Sequence, residues 1–209
     1  MGREPVQARS VESMHRMLDA GETLFLEGGS ADLKLELILE LSGSHPGSFY
    51  ARFGDMHGYL EALHERAITR MESGLSEAMT QARLEETLSD ALTTYYVDTL
   101  RLLRIFRATL YFFAVGNSHD AIFRQAGARA VLAHRTALLE VLKPFVVDPS
   151  KAAPRRRLDM VARLSHAMLF QLIMFDQDEV SPSSLSDQVL AKELARTLAD
   201  ALAPFTPDD

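Results

Sequence analysis

Apolar residues recur every three or four positions along almost the whole chain. No stretch bounded by turn residues alternates strictly between apolar and polar, so the pattern predicts helices and no strands. A first helix is expected from about Ser10 to Glu27, with Met14, Leu18, Gly21, Leu24 and Phe25 on its inward stripe and Gly28-Gly29 as its stop. A second, over about 33–41, points Leu37, Ile38 and Leu41 inward and ends in a tight turn at Ser42-Gly43-Ser44. A third starts at His45-Pro46, where proline suits a first turn, and runs through Phe49, Tyr50 and Phe53. Asp55 is the expected N-cap of a longer helix over about 56–79. Residues 84–116 read as one long or broken helix, apolar on too many sides for a surface position. Three more are expected: from a cap at Asn117 or Ser118 to about 145, over about 155–175, and over about 185–202. Pro144, Pro149 and Pro154 mark one loop and residues 176–184 another, while residues 1–9 and the tail PFTPDD are expected to be loose.

Composition narrows the functions open to such a chain. Of its 209 residues 47% are hydrophobic and 24% charged, enough apolar material for a packed core. There is no cysteine, which excludes disulfides, thiolate metal sites and cysteine nucleophiles. The N-terminus has no apolar signal region, and the run Leu110 to Val115 falls far short of the roughly 18 residues of a membrane span. A cytoplasmic protein with no membrane partner is expected. No nucleophile elbow, phosphate-binding loop or zinc-protease motif occurs, so neither an enzyme, nor a catalytic residue, nor a cofactor is read from the sequence. His57, Glu61 and His64 have a spacing that can bind a metal, yet no fourth ligand is evident, and they are read as a helix face with no metal. Arg155-Arg156-Arg157 is read as a solvated helix start.

Two short helices joined by a glycine-containing turn form a helix-turn-helix, whose second helix enters the major groove of DNA. The run Leu24-Phe25-x-Glu27-x-Gly29, followed by Ile38-x-Glu40-x-x-Gly43-x-x-x-Gly47-Ser48-Phe49-Tyr50-x-x-Phe53, resembles the signature of the tetracycline-repressor (TetR) family. The resemblance is strongest over residues 11–60. It implies an all-α fold: a three-helix helix-turn-helix domain over 1–56 and a helical ligand-binding and dimerisation domain over 57–209. It also implies roles. Phe49 and Phe53 match buried aromatics that fix the recognition helix. Tyr50 matches a tyrosine on the DNA backbone, Gly47 and Ser48 match a small-residue and hydroxyl pair, and His45 and Pro46 sit where base edges are met. Lys34 and Arg52 complete the expected DNA-binding set. The implied function is a ligand-responsive transcriptional regulator, a repressor, acting on a palindromic operator.

The sequence departs from that pattern at three positions. Leu33 stands where the family carries a threonine that meets a phosphate, Met56 where it carries a backbone-clamping lysine, and Pro46 where a basic residue is common. Residues 1–56 hold five cationic and nine acidic side chains, in a chain of net charge −7. Phosphate neutralisation supplies most non-specific affinity for DNA. These features support an alternative, a module of the same fold that has lost DNA binding and acts through a protein partner.

In the second half, aromatic and hydroxyl side chains mix, as in a pocket for a small apolar or amphipathic effector. The candidates are Tyr95, Tyr96, Thr99, Phe106, Thr109, Phe112 and Phe113, with His166, Met168 and Gln171 on the penultimate long helix. The last two helices carry stripes, Leu158, Val161, Leu164, Met168, Leu172 and Phe175, then Val189, Leu194, Leu198 and Leu202. The resemblance makes this pair a homodimer interface, so a charge at Leu172 or Leu198 is expected to yield monomers or insoluble protein.

Overall fold

The computed structural model describes residues 6–27, 33–181 and 183–207, and every regular element among them is helical. The first four long or short helices are α1 (Val6–Glu27), α2 (Leu35–Ser42), α3 (Pro46–Phe53) and α4 (Met56–Ala82). Next come α5 (Leu88–Tyr111), a π-helical turn (Phe112–Gly116) and α6 (Ala121–Leu142). The chain closes with α7 (Ala152–Met174), the single turn α8 (Gln177–Val180) and α9 (Asp187–Leu202). The all-helical expectation therefore holds. The stop expected at Gly28-Gly29, like the first five residues and Asp208-Asp209, lies outside the described residues.

Helix starts follow side-chain chemistry. Asp55 Oδ1 accepts the Gly58 N–H at 2.8 Å, as the sequence predicts for the cap of α4. Thr87 caps α5, accepting the Asp90 N–H at 3.1 Å. The cap of α6 is Asp120, not Asn117 or Ser118: its Oδ1 accepts the Ile122 N–H at 2.8 Å. Asn117 is taken up elsewhere, because its backbone N–H and its side-chain amide both donate to Phe112 O and close the π turn. Pro154, expected in a loop, falls in the first turn of α7, where a missing N–H costs nothing.

The chain forms two compact units, residues 1–68 with 108–126, and residues 69–107 with 127–209. Helices α4, α5 and α6 each contribute to both. The first unit buries Met17, Leu18, Leu24, Phe25, Ile38, Phe49, Tyr59 and Leu63 together with Phe113 and Phe123. Phe25 meets Phe112 at 5.2 Å, and Phe113 meets Phe123 at 4.8 Å. Each fully buried aromatic of this kind stabilises the fold by roughly 1.5–3 kcal/mol. Gly21 on α1 makes room for α4: a Cβ there would stand 2.1 Å from the Tyr59 hydroxyl, which donates to Met17 O at 2.8 Å.

The second unit is centred on Leu92, Tyr95, Tyr96, Leu138, Leu142, Val161 and Leu202, all buried. Most of the stripe on α7 and α9 serves this core. Leu158, Val161, Leu194, Leu198 and Leu202 are covered within the chain itself, which corrects their expected place in a subunit interface. The apolar side chains that stay exposed are Met160, Leu164 and Phe170 on α7, with Phe175 just beyond it and Val189 on α9.

Candidate nucleic-acid interface and ligand cavity

Helix α2 ends because Gly43 takes the left-handed conformation, φ 59° and ψ 33°, which a side chain would strain. Its N–H donates to Glu40 O and that of Ser44 to Leu39 O, so these two carbonyls near the end of α2 are satisfied. Arg16 Nε of α1 donates to Ser42 O at 3.2 Å and ties this corner to the first helix. His45 then precedes α3 in extended conformation, without a side-chain cap, and Pro46 opens the helix. In this first turn the Ser48 and Phe49 N–H groups both donate to His45 O, at 2.9 and 3.2 Å.

Helix α3 has two contrasting faces. Phe49 is fully buried, with its ring 5.1 Å from Phe53 and 5.2 Å from Tyr59. His45, Pro46, Gly47, Ser48 and Tyr50 are all exposed, and nothing lies within 4 Å of where a Gly47 Cβ would stand. Lys34 is exposed at the start of α2 and Arg52 is half-buried. The structure thus brings the candidates on α3 together on one outward surface. Leu33 and Met56 instead lie half-buried against the core of the first unit.

The ligand candidates divide between the two units. Thr109 and Phe113 are buried and Phe112 is half-buried in the first, where Phe113 stacks on His64 at 4.1 Å. His57, by contrast, contacts Glu61 and Asp120, at 3.1 and 2.8 Å. No group of three acidic or histidine side chains among the described residues is placed to hold a metal. Tyr95, Tyr96, Thr99 and Phe106 are buried in the second unit, with the Arg70 guanidinium 5.7 Å from the Phe106 ring centre. On α7, His166 and Met168 are half-buried and Gln171 is exposed.

The two tyrosines end in a buried polar chain that their sequence positions do not reveal. Tyr96 Oη donates to Ser165 Oγ at 2.7 Å, and Ser165 Oγ lies 3.0 Å from His134 Nε2. Tyr95 Oη lies 2.9 Å from His134 Nδ1 and 3.2 Å from His134 O. One assignment satisfies every member: Ser165 donates to Nε2, Nδ1–H donates to Tyr95, and Tyr95 donates to the carbonyl. Burial pushes the His134 imidazole down to about 4, with the nearby His166 adding to the effect. Burial likewise raises both phenols, so they stay protonated.

A separate cleft of about 650 Å³ opens between the second half of α5, the end of α7 and the start of α9. Its apolar wall is Leu100, Leu103, Leu172 and Phe175, and its charged groups are Arg104, Arg107, Asp176 and Asp187. None of the sequence-predicted ligand contacts lines it. The signal was nonetheless present: Arg101, Arg104 and Arg107 repeat every third residue through the apolar run RLLRIFR.

No family model matches the chain, and no curated protein matches it in sequence. Solved structures do match in fold. A protein assigned to the TetR family of transcriptional regulators from Mesorhizobium loti superposes with a TM-score of 0.68 at 11% identity, over 95% of this chain and 99% of that one. A TetR-family regulator of Marinobacter aquaeolei gives 0.58 at 14% identity, over 94% and 98%. The TetR-family regulator PfmR of Thermus thermophilus gives 0.55 at 16%, over 88% and 96%. The chain has the fold of these regulators.

Proposed function

We propose that the protein is a ligand-responsive, DNA-binding transcriptional regulator, a repressor, that acts as a homodimer on a palindromic operator. The observation that carries this reading is α3 itself. Its exposed face presents His45, Pro46, Gly47, Ser48 and Tyr50, while Phe49 on the opposite side is fully buried and fixes its orientation. Small residues permit close approach, and a hydroxyl and a phenol reach phosphate or base. The likeness of fold to TetR-family regulators supports the same reading. An effector bound in the second unit would favour a dimer whose recognition helices no longer match major grooves about 34–36 Å apart. Such a shift needs different affinities for the two states.

The half-buried placement of Leu33 and Met56 favours a second reading, a module of this fold that binds a protein partner instead of DNA. A fluorescence titration against duplexes from the DNA upstream of the protein's own gene separates the two. Specific binding at low salt is expected. Tyr50→Phe should weaken binding to all duplexes alike, by a few-fold for one hydrogen bond worth on the order of 1 kcal/mol. Ser48→Ala or His45→Ala should also relax the preference for the specific sequence. Failure to bind any duplex at low salt would leave the partner-binding reading.

A further inference from the structure

The cleft beside α5 has a polarity that selects a ligand class. Its length is lined by the leucines and Phe175, and its volume of about 650 Å³ lies within the range of sites for small organic molecules. Two arginines one turn apart stand in its wall, and they are held differently. Arg104 grips Asp187, the first residue of α9, with both Nε and Nη2, an arrangement that fixes the helix start. Arg107 spends Nε on Leu172 O at 3.0 Å, a carbonyl in the last turn of α7. On its outer edge, among the described residues, Nη1 is engaged by one oxygen of Asp176 at 3.1 Å. That carboxylate is two-thirds exposed, so the single ion pair is screened and weak.

A planar guanidinium edge fits the two oxygens of a carboxylate, and such a bidentate pair exceeds a one-point contact. We propose that this cleft binds an amphipathic carboxylate. Its headgroup takes the outer edge of Arg107 in place of Asp176, and its hydrocarbon tail lies along Leu100, Leu103, Leu172 and Phe175. Asp176 is then a built-in competitor that occupies the arginine when the cleft is empty. A neutral molecule of the same length gains the apolar contacts without the headgroup pair. The role of such a ligand as effector rests on the regulator reading above; its binding does not.

Calorimetric titration of the full chain with decanoate and with 1-decanol tests the assignment. Decanoate should bind the wild type about tenfold tighter or more. Arg107→Leu should remove that preference. Since Arg107 also caps α7, Arg107→Lys serves as a variant that keeps the charge but lacks the bidentate edge, and it should lose most of the preference. Asp176→Asn, at an exposed position, should tighten decanoate several-fold relative to decanol. Equal affinity of the two probes for the wild type, no binding of either, or no gain in Asp176→Asn overturns the proposal. Repeating the DNA titration with decanoate present keeps the two readings apart. Binding of decanoate with unchanged DNA affinity leaves the site standing and removes its effector role. Binding of decanoate by a protein that grips no duplex leaves the site standing and removes the regulator reading.

Discussion

His134 is held in a state that its own chemistry resists. Both ring nitrogens are engaged inside the second unit, and burial pushes the imidazole down to about 4 from its ordinary 6.5. An unfolded chain takes up a proton near 6.5, whereas the folded chain refuses it until about 4. The stability contributed by the neutral histidine is therefore complete above about 6.5 and is lost as pH falls toward 4. The slope is about 1.4 kcal/mol per pH unit, or about 3 kcal/mol in all. Between pH 7 and 4.5 the wild type should lose about 2 kcal/mol more than His134→Gln, measured from urea unfolding midpoints. His166 also titrates low through burial and adds to the shift of His134, so His166→Gln should remove a smaller part of the same dependence. Equal losses in wild type and His134→Gln would show that the imidazole is not held neutral. Little of this was legible in the sequence. Tyr95 and Tyr96 stood out as an aromatic pair with hydroxyls, but their partners lie on α6 and α7, separated from them by dozens of residues with no spacing rule to connect them.

Helices were more legible than their junctions, and the reason is periodicity. A stripe of apolar residues over twenty positions specifies a helix almost alone, so α1, α4 and α7 fall within a few residues of expectation. Caps depend on single side chains and on what the preceding turn consumes. The π turn at Phe112–Gly116 uses Asn117 to close itself, which moves the start of α6 to Asp120. Pairing between elements is hidden as well, as Gly21 illustrates. It reads as one more small residue on the stripe of α1, yet its missing Cβ is what lets the Tyr59 hydroxyl of α4 reach Met17 O. Tyr59 cannot swing aside, since Phe49 and Phe53 pack against its ring at 5.2 and 5.1 Å. Gly21→Ala should therefore cost about 1–3 kcal/mol through overpacking. Tyr59→Phe should cost about 1 kcal/mol for the lost hydrogen bond. In the double variant the colliding oxygen is gone, and the combined loss should fall short of the sum by a measurable coupling in a double-mutant cycle. Strict additivity would mean that the hydroxyl is not what the glycine accommodates.

At the scale of the whole molecule, the pattern of α2 and α3 was readable, except at Leu41, which is exposed where an inward position was expected, because most positions there have a narrow job: an aromatic to bury, a glycine to turn, a small residue to leave space. The division into compact units was not, because α4, α5 and α6 run through both and no linker composition marks the passage. The same division between inward and outward duty decides how a dimer is to be tested. Met160, Leu164, Ala167 and Gln171 follow the spacing of one helix face, and all four are exposed, with Phe170 beside them. Leu198 on α9 is 2% exposed and belongs to the core of its own chain. Burying a charge at such a position costs several kcal/mol, so Leu198→Glu should unfold the protein, not merely separate subunits. Leu164→Glu adds a charge to a surface already half in water, and the chain should keep its helical circular dichroism and unfold cooperatively. If α7 faces a second copy, sizing at micromolar concentration should give a dimer for the wild type and a monomer for Leu164→Glu. The effect on DNA then follows from charge. On the proposed DNA-binding reading, with acidic residues outnumbering cationic ones over 1–56, one subunit would bring few phosphate contacts, mainly Lys34 and Arg52. Each contact contributes a slope of about 0.9 in log affinity against log salt, so the wild-type dimer should show a shallow dependence for a DNA-binding protein. The Leu164→Glu monomer should show about half that slope and a much weaker specific affinity, since two half-sites are no longer engaged together. A wild-type monomer, or a folded Leu164→Glu protein that still forms dimers, removes α7 from the interface.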